Sequence, residues 1–514
     1  MIQQIDYFAI APPLALALVA GLVLLLDAFL PARPRTKTGL GLVTLAGVLV
    51  ALGFVIAQAA RGGPPQSTFC VPPGLAGGPA QAAGLCSFVV DRFTLVFAGM
   101  VLVAAVVVVL MSMTELASGA IPVGEWYFLL LCTLVGAVTL PASRDLIMLV
   151  VALELVSLPV FALTAMKRYD GRSSEAAVKL FVVSVVSTAI MLFGVSLLYG
   201  IAGTVYLSRL GAVFSGRVAA PGMAGDAALA TAQELPAVVT VGVVLVVAGF
   251  AFKIAAVPFH SWAADVYQGA PVPVAALLSV ISKAAGFAGL ILVLVTALSG
   301  QAATWTPIVA ILAALTMTVG NLLAMRQSSA VRLLAWSSVA QSGYILAPLA
   351  VAATSGAVSA SMAYLVIYAA MNLGAFAVVM LVSRTAPRNE LDDYRGLMFR
   401  RPAAGIALAF CLVCLAGLPP GLAGLFAKVF VFREIIEGGS GWLALVMAVN
   451  TVIGLYYYAI WTARLFTPDG GRQLSRYRPP AAAWLAMGLA LVAAVLFSIA
   501  PQLVLDMTSL SASG

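Results

Sequence analysis

Apolar residues fill this chain in runs of about 20, the length that crosses a hydrocarbon core, and the runs recur from the first residues to the last. Backbone inside lipid must satisfy its own hydrogen bonds, so the pattern predicts an all-α polytopic membrane protein. Fourteen transmembrane spans are predicted, at 9–30, 39–60, 90–113, 125–143, 145–166, 176–200, 236–257, 271–298, 305–325, 331–352, 359–383, 403–437, 441–466 and 481–505. The first run follows an acidic n-region and is too long for a signal-peptide core, so it is expected to be a retained span.

Composition sharpens this reading. Of the 514 residues, 63% are hydrophobic and 9% charged, against roughly a quarter charged in soluble domains. A soluble enzyme is excluded. The net charge of +8 is explained by topology rather than by a nucleic-acid partner. Alternate loops fall into two sets, one with 17 basic residues (Arg33, Arg35, Lys37; Lys167, Arg168, Arg172; Arg326, Arg332; Arg384, Arg388, Arg395, Arg400, Arg401; Arg464, Arg472, Arg476, Arg478) and one with 6 (Arg61, Arg92, Arg144, Arg209, Arg217, Arg433). The positive-inside rule then turns both termini outward.

The same count leaves 4 of the 27 basic residues without a loop: Lys179, Lys253, Lys283 and Lys428 all lie within spans. Glu154, in LIMLVVALELVSLPVFALTAM, is the acidic residue near the middle of a span. A mid-bilayer lysine costs on the order of 3 kcal/mol, so several together point to function. Lysine also gives up its proton readily on desolvation, whereas arginine stays charged. A set of lysines and a glutamate can therefore be emptied and refilled with protons. Lys179 lies in the first turn of its span, from where a lysine can snorkel to the surface.

Backbone breakers accompany two of these lysines. Pro258 follows Lys253 in AGFAFKIAAVPFHSW, and Gly417, Pro419, Pro420, Gly421 and Gly424 precede Lys428 in AGLPPGLAGLFAKVF. Broken helices in corresponding places of two halves point to an inverted repeat with its ion path at the breaks. The expected organisation is 1–124 (three spans with an extended outer loop, 61–88), two inverted five-helix repeats at 125–298 and 305–466, and a last span in 467–514. Tyr364, Tyr368 and Asn372 share one helix face, as do Ser337, Gln341 and Tyr344, and such stripes can order waters or make packing hydrogen bonds. His260, the lone histidine, follows the Pro258 break and titrates near neutrality in its ordinary state.

Of the five cysteines, Cys70 and Cys86 lie in a Pro/Gly-rich loop, where an oxidising compartment would permit a disulfide. Cys411 and Cys414 form a CxxC inside an apolar run. With no second pair, no metal or iron–sulfur site is expected there.

The segment FKIAAVPFHSWAADVYQGAPVPVAALLSVISKAAGFA resembles subunit N of respiratory complex I, the proton-pumping NADH–quinone oxidoreductase, a family similar to monovalent cation/proton antiporter subunits. VRLLAWSSVAQSGY and GLPPGLAGLFAKVFVF agree in order and spacing, and the resemblance runs from about residue 90 to 466. DVYQGAP, Asp265 to Pro271, favours subunit N over its paralogues.

The resemblance implies a proton-translocating, non-redox subunit of a bacterial cell membrane, partnered by other membrane subunits of the complex. NADH, FMN, iron–sulfur clusters and quinone would be bound elsewhere. It also implies that Glu154 pairs with Lys179 and couples to Lys253, that Lys283 relays centrally, and that Lys428 exchanges with the outer side. Gln341 departs from the family, many of whose members carry histidine there. A sodium/proton antiporter subunit and a purely structural scaffold are the alternatives.

Overall fold

The structure, a computed structural model, describes residues 5–31, 33–72, 85–117, 121–167, 170–218, 237–351, 354–468 and 479–510. Eleven helices in it are each long and apolar enough to cross a membrane. In chain order they form span 1 (Ala11–Phe29), span 2 (Pro34–Arg61), span 3 (Arg92–Leu116), span 4 (Val123–Ala142), span 5 (Leu146–Ala165), span 6 (Gly171–Ala202), span 8 (Val272–Ala297), span 9 (Ser299–Ala324), span 11 (Ser355–Ser383), span 13 (Gly441–Phe466) and span 14 (Ala481–Ile499). Three further passages complete the predicted fourteen. Span 7 is Ala237–Lys253 followed after a break by Ala263–Gly269, span 10 is Ala330–Leu346 continued by Ala347–Ala350, and span 12 is Pro402–Ala416 followed by Leu422–Glu437.

Local chemistry sets the starts of several spans. Asp91, Asp145 and Thr354 each accept a hydrogen bond from the backbone N–H three residues on, at Thr94, Met148 and Ala357, satisfying one of the first-turn donors a helix leaves free. Spans 8 and 11 are wrapped by the others and form the centre of the bundle.

Two predicted spans are divided. The helix expected over 236–257 ends at Lys253, and the one expected over 403–437 is two half-helices parted at 417–421. The breaks fall in spans 7 and 12, five spans apart. At the first, Val257 N–H donates to Thr316 Oγ1 (2.9 Å), while the Ile254 carbonyl accepts from Ser342 Oγ (2.7 Å) and the Phe252 carbonyl from Trp262 Nε1 (3.3 Å). Thr316 and Ser342 belong to spans 9 and 10, so two later spans satisfy the open backbone of span 7. At the second break Gly417 turns the chain with φ 83°, a left-handed value natural to glycine.

The loop between spans 2 and 3 contains structure that its Pro/Gly content concealed. Strands β1 (Gln66–Cys70) and β2 (Cys86–Val90) pair antiparallel, with Gln66 opposite Val90 and Cys70 opposite Cys86. The two cysteines are joined by a disulfide. Residues 73–84 at the centre of this loop lie outside the described residues, as do Arg168, Arg472, Arg476 and Arg478.

Candidate functional site

The four lysines divide into three buried groups and one surface group. Lys253 ends the first half of span 7, where the carbonyl end of a helix favours positive charge. Its ammonium donates to Ser157 Oγ (2.7 Å), Ser184 Oγ (3.2 Å) and Glu154 Oε1 (3.3 Å), so spans 5 and 6 supply its partners. Glu154 also accepts from Thr188 Oγ1 (2.8 Å). Its side chain is 24% exposed against 7% for the lysine, which makes the carboxylate the more accessible end of the pair.

Lys179 makes other contacts. It is 43% exposed and pairs with Glu175 (2.7 Å) and Asp265 (3.0 Å), and Asp265 in turn holds Arg332 (2.8 Å). The Glu154–Lys179 pair implied by resemblance is therefore corrected to Glu154–Lys253. The reason is depth: on span 6 the residue level with Glu154 is Thr188, and Lys179 lies nine residues toward the helix start, about 13 Å along the axis.

Lys283 follows a π-helical turn, Leu278–Ser282, in span 8, a distortion often associated with function. Its ammonium donates to the carbonyl and to Oγ of Ser338 in span 10, the latter at 2.6 Å. Ser338 Oγ also accepts from Tyr368 (2.8 Å), while Ser342 Oγ reaches both the Ser338 carbonyl (3.1 Å) and the Ile254 carbonyl (2.7 Å). One serine hydroxyl thus joins the surroundings of Lys283 to the break beside Lys253.

A second polar cluster lies among spans 9, 10, 11 and 13. Tyr364 donates to Gln341 (2.7 Å), Gln341 Nε2 reaches Tyr458 (3.4 Å), and Tyr458 bonds Ser337. Tyr344 stacks on Tyr364 with ring centroids 6.2 Å apart and accepts from Asn321 (3.0 Å), whose carbonyl takes the Tyr457 hydroxyl (2.9 Å). Lys428 Nζ lies 5.7 Å from the Tyr344 ring centroid. The same ammonium donates to the Ala416 carbonyl (2.8 Å) and the Leu415 carbonyl (3.4 Å), acceptors exposed by the break in span 12. Asn372 donates to Ser279 (2.7 Å), tying span 11 to span 8.

His260 lies in the break of span 7, its ring 5.4 Å from that of Trp336. Cys411 and Cys414 are buried in span 12, Cys414 Sγ lying 3.8 Å from Ser498 Oγ. Among the described residues, no cluster of three or more metal-ligating side chains occurs.

A sequence model of the membrane family described as NADH:quinone oxidoreductase/Mrp antiporter matches residues 143–454, which hold Glu154, Lys179, Lys253, Lys283 and Lys428. The chain belongs to this family, in its subunit N branch. NADH-quinone oxidoreductase subunit N 2 of Streptomyces griseus is 48% identical, with 99% of this chain and 94% of the relative covered. Subunit N of Trichlorobacter lovleyi is 33% identical over 98% and 97%. A chain of respiratory complex I from Thermus thermophilus with bound aureothin superposes with a TM-score of 0.74 at 29% identity, covering 96% of this chain and 98% of that one. A chain of the Mrp complex from Dietzia, at 20% identity and a TM-score of 0.79, shares the fold.

In this subunit N chain, several site residues escaped the reading of the sequence. Ser157, Ser184 and Thr188 cage the Glu154–Lys253 pair; Ser157 stands one turn from Glu154, and Ser184 and Thr188 are one turn apart, a spacing that carries a usable signal. Tyr458, Asn321 and Ser338 carried none, since their role depends on which neighbouring helix they meet.

Proposed function

We propose that this chain is a proton-translocating, non-redox membrane subunit of an NADH–quinone oxidoreductase in a bacterial cell membrane, working beside other membrane subunits of that complex. The observation that carries the reading is the Glu154–Lys253 pair at one helix break and Lys428 at the other, with Lys283 and a chain of buried hydroxyls between them. In a desolvated site, an ammonium held by a carboxylate keeps its proton. Withdrawal of that carboxylate favours release. A proton enters toward Lys253 from the side bearing the Arg-rich loops, the cytoplasm, and passes to Lys283 by way of Ser342, Ser338 and intervening water. It leaves from Lys428 toward the side bearing the disulfide hairpin, where both termini also lie.

The tyrosine and serine hydroxyls can both accept and donate, whereas Gln341 orients Tyr364 and Tyr458 without taking a net proton. NADH, FMN, iron–sulfur clusters and quinone belong to other subunits, and quinone reduction there drives the movement of charge at Glu154. The test is Lys428→Met in the assembled complex, scored as protons moved per quinone reduced in sealed vesicles. An unchanged ratio at unchanged turnover removes Lys428 from the path. Sodium-dependent transport by the purified complex would instead favour an antiporter.

A further inference from the structure

The break in span 12 is braced from outside its own span. Its second half, Leu422–Glu437, starts at Gly421, which has no side chain to cap it, so the first-turn N–H groups need acceptors from elsewhere. Ser498 of span 14 supplies one: its Oγ accepts from the Ala423 N–H (3.1 Å) and donates to the Ala494 carbonyl (2.8 Å). Ser498 and Ala423 are both buried, so bulk water replaces neither partner. A helical serine can satisfy itself on the carbonyl four residues back. The bond across to span 12 is the one that needs a reason.

This contact stands close to the last lysine of the relay. Lys428 is five residues beyond Ala423, about 7.5 Å along the helix axis. Its ammonium bonds the carbonyls of Ala416 (2.8 Å) and Leu415 (3.4 Å), which close the first half of the span. The two halves touch at Cys414: a Cβ on Gly421 would lie 2.5 Å from the Cys414 nitrogen, and one on Gly424 would overlap the Cys414 carbonyl. Cys414 Sγ in turn lies 3.8 Å from Ser498 Oγ. The start of the second half is thus seated between Cys414 and Ser498, and that seat decides where Lys428 reaches.

We propose that Ser498 is a positioning residue for Lys428: it fixes the start of the second half of span 12, and through it the approach of the ammonium to the carbonyls across the break. The inference rests on the reading of Lys428 as the group that releases protons outward. Hydrogen bonds weaken steeply with distance and angle, so a small shift of this helix start loosens the ammonium from the Ala416 carbonyl. Span 14 carries no titratable side chain over Ala481–Ile499, yet it takes part in proton release by holding the helix that does.

The experiment measures protons moved and quinone reduced by the assembled complex in sealed vesicles. Ser498→Ala, which leaves the buried Ala423 N–H without its acceptor, is expected to slow proton-coupled turnover about fivefold, and Ser498→Thr, which keeps the hydroxyl, to recover most of the rate. Should Ser498→Ala fail to assemble, Ser498→Cys, similar in shape but a weak acceptor, takes its place. Because Ser498 acts through Lys428, adding Ser498→Ala to Lys428→Arg should deepen the loss by less than about twofold, whereas a merely structural role would multiply the two losses. Full turnover in Ser498→Ala, a loss in Ser498→Thr as deep as in Ser498→Ala, or losses that multiply each overturns the positioning role while leaving Lys428 in the relay. A Lys428→Met complex that pumps normally overturns the relay itself.

Discussion

Glu154 and Lys253 lie 3.3 Å apart, a carboxylate from span 5 meeting the last residue before the break of span 7. The pair joins a continuous helix to an interrupted one. Small motions of the half-helix therefore change the charge environment of the lysine directly.

Glu154→Gln leaves that ammonium with neutral partners. A hydrogen bond between charged groups contributes about 2 kcal/mol, so proton-coupled turnover should fall by at least about tenfold. The measurement is quinone reduction with simultaneous proton uptake in vesicles. Wild-type rates would rule out the pair as the switch.

Lys428 has two separable roles, satisfying the Ala416 and Leu415 carbonyls and exchanging a proton. Arginine can do the first but not the second, since it stays charged. Lys428→Arg is therefore expected to assemble and yet pump poorly. Full pumping by this variant would reduce the lysine to a helix cap.

Ser338→Ala and Tyr368→Phe remove successive links on Lys283. Each loss is worth about 1 kcal/mol, roughly a fivefold fall in rate, and the two together should cost less than the product because they share one chain. A double-mutant cycle on turnover reads this, with strict additivity as the outcome against it.

Thr316→Val leaves the buried Val257 N–H without its acceptor while keeping side-chain shape. The expected penalty is about 1–3 kcal/mol, seen as a lower thermal midpoint of the complex and easier cleavage by protease at the break. An unshifted midpoint would mean that water satisfies this donor.

Lys179→Met removes an exposed pair partner of Glu175 and Asp265. Such pairs contribute about 0–1 kcal/mol, so pumping should change by less than about fivefold. A loss as deep as that expected of Glu154→Gln would place Lys179 on the route after all.

The chain alone determined which segments cross the membrane, because hydropathy over about 20 residues is a local property. It also located both interruptions: Pro258 cannot donate a backbone hydrogen bond, and the Gly/Pro run before Lys428 cannot continue a helix. It singled out the lysines, since the charged loops accounted for every other basic residue. It did not determine which lysine meets Glu154. That depends on the depth and rotation of span 6 against span 5, which bring Thr188 level with Glu154 and leave Lys179 at the surface with Asp265. Nor did a Pro/Gly-rich loop announce the paired strands that align Cys70 with Cys86, because five-residue strands exist only through the partner they find. Burial was written in composition, whereas partnership was decided by packing.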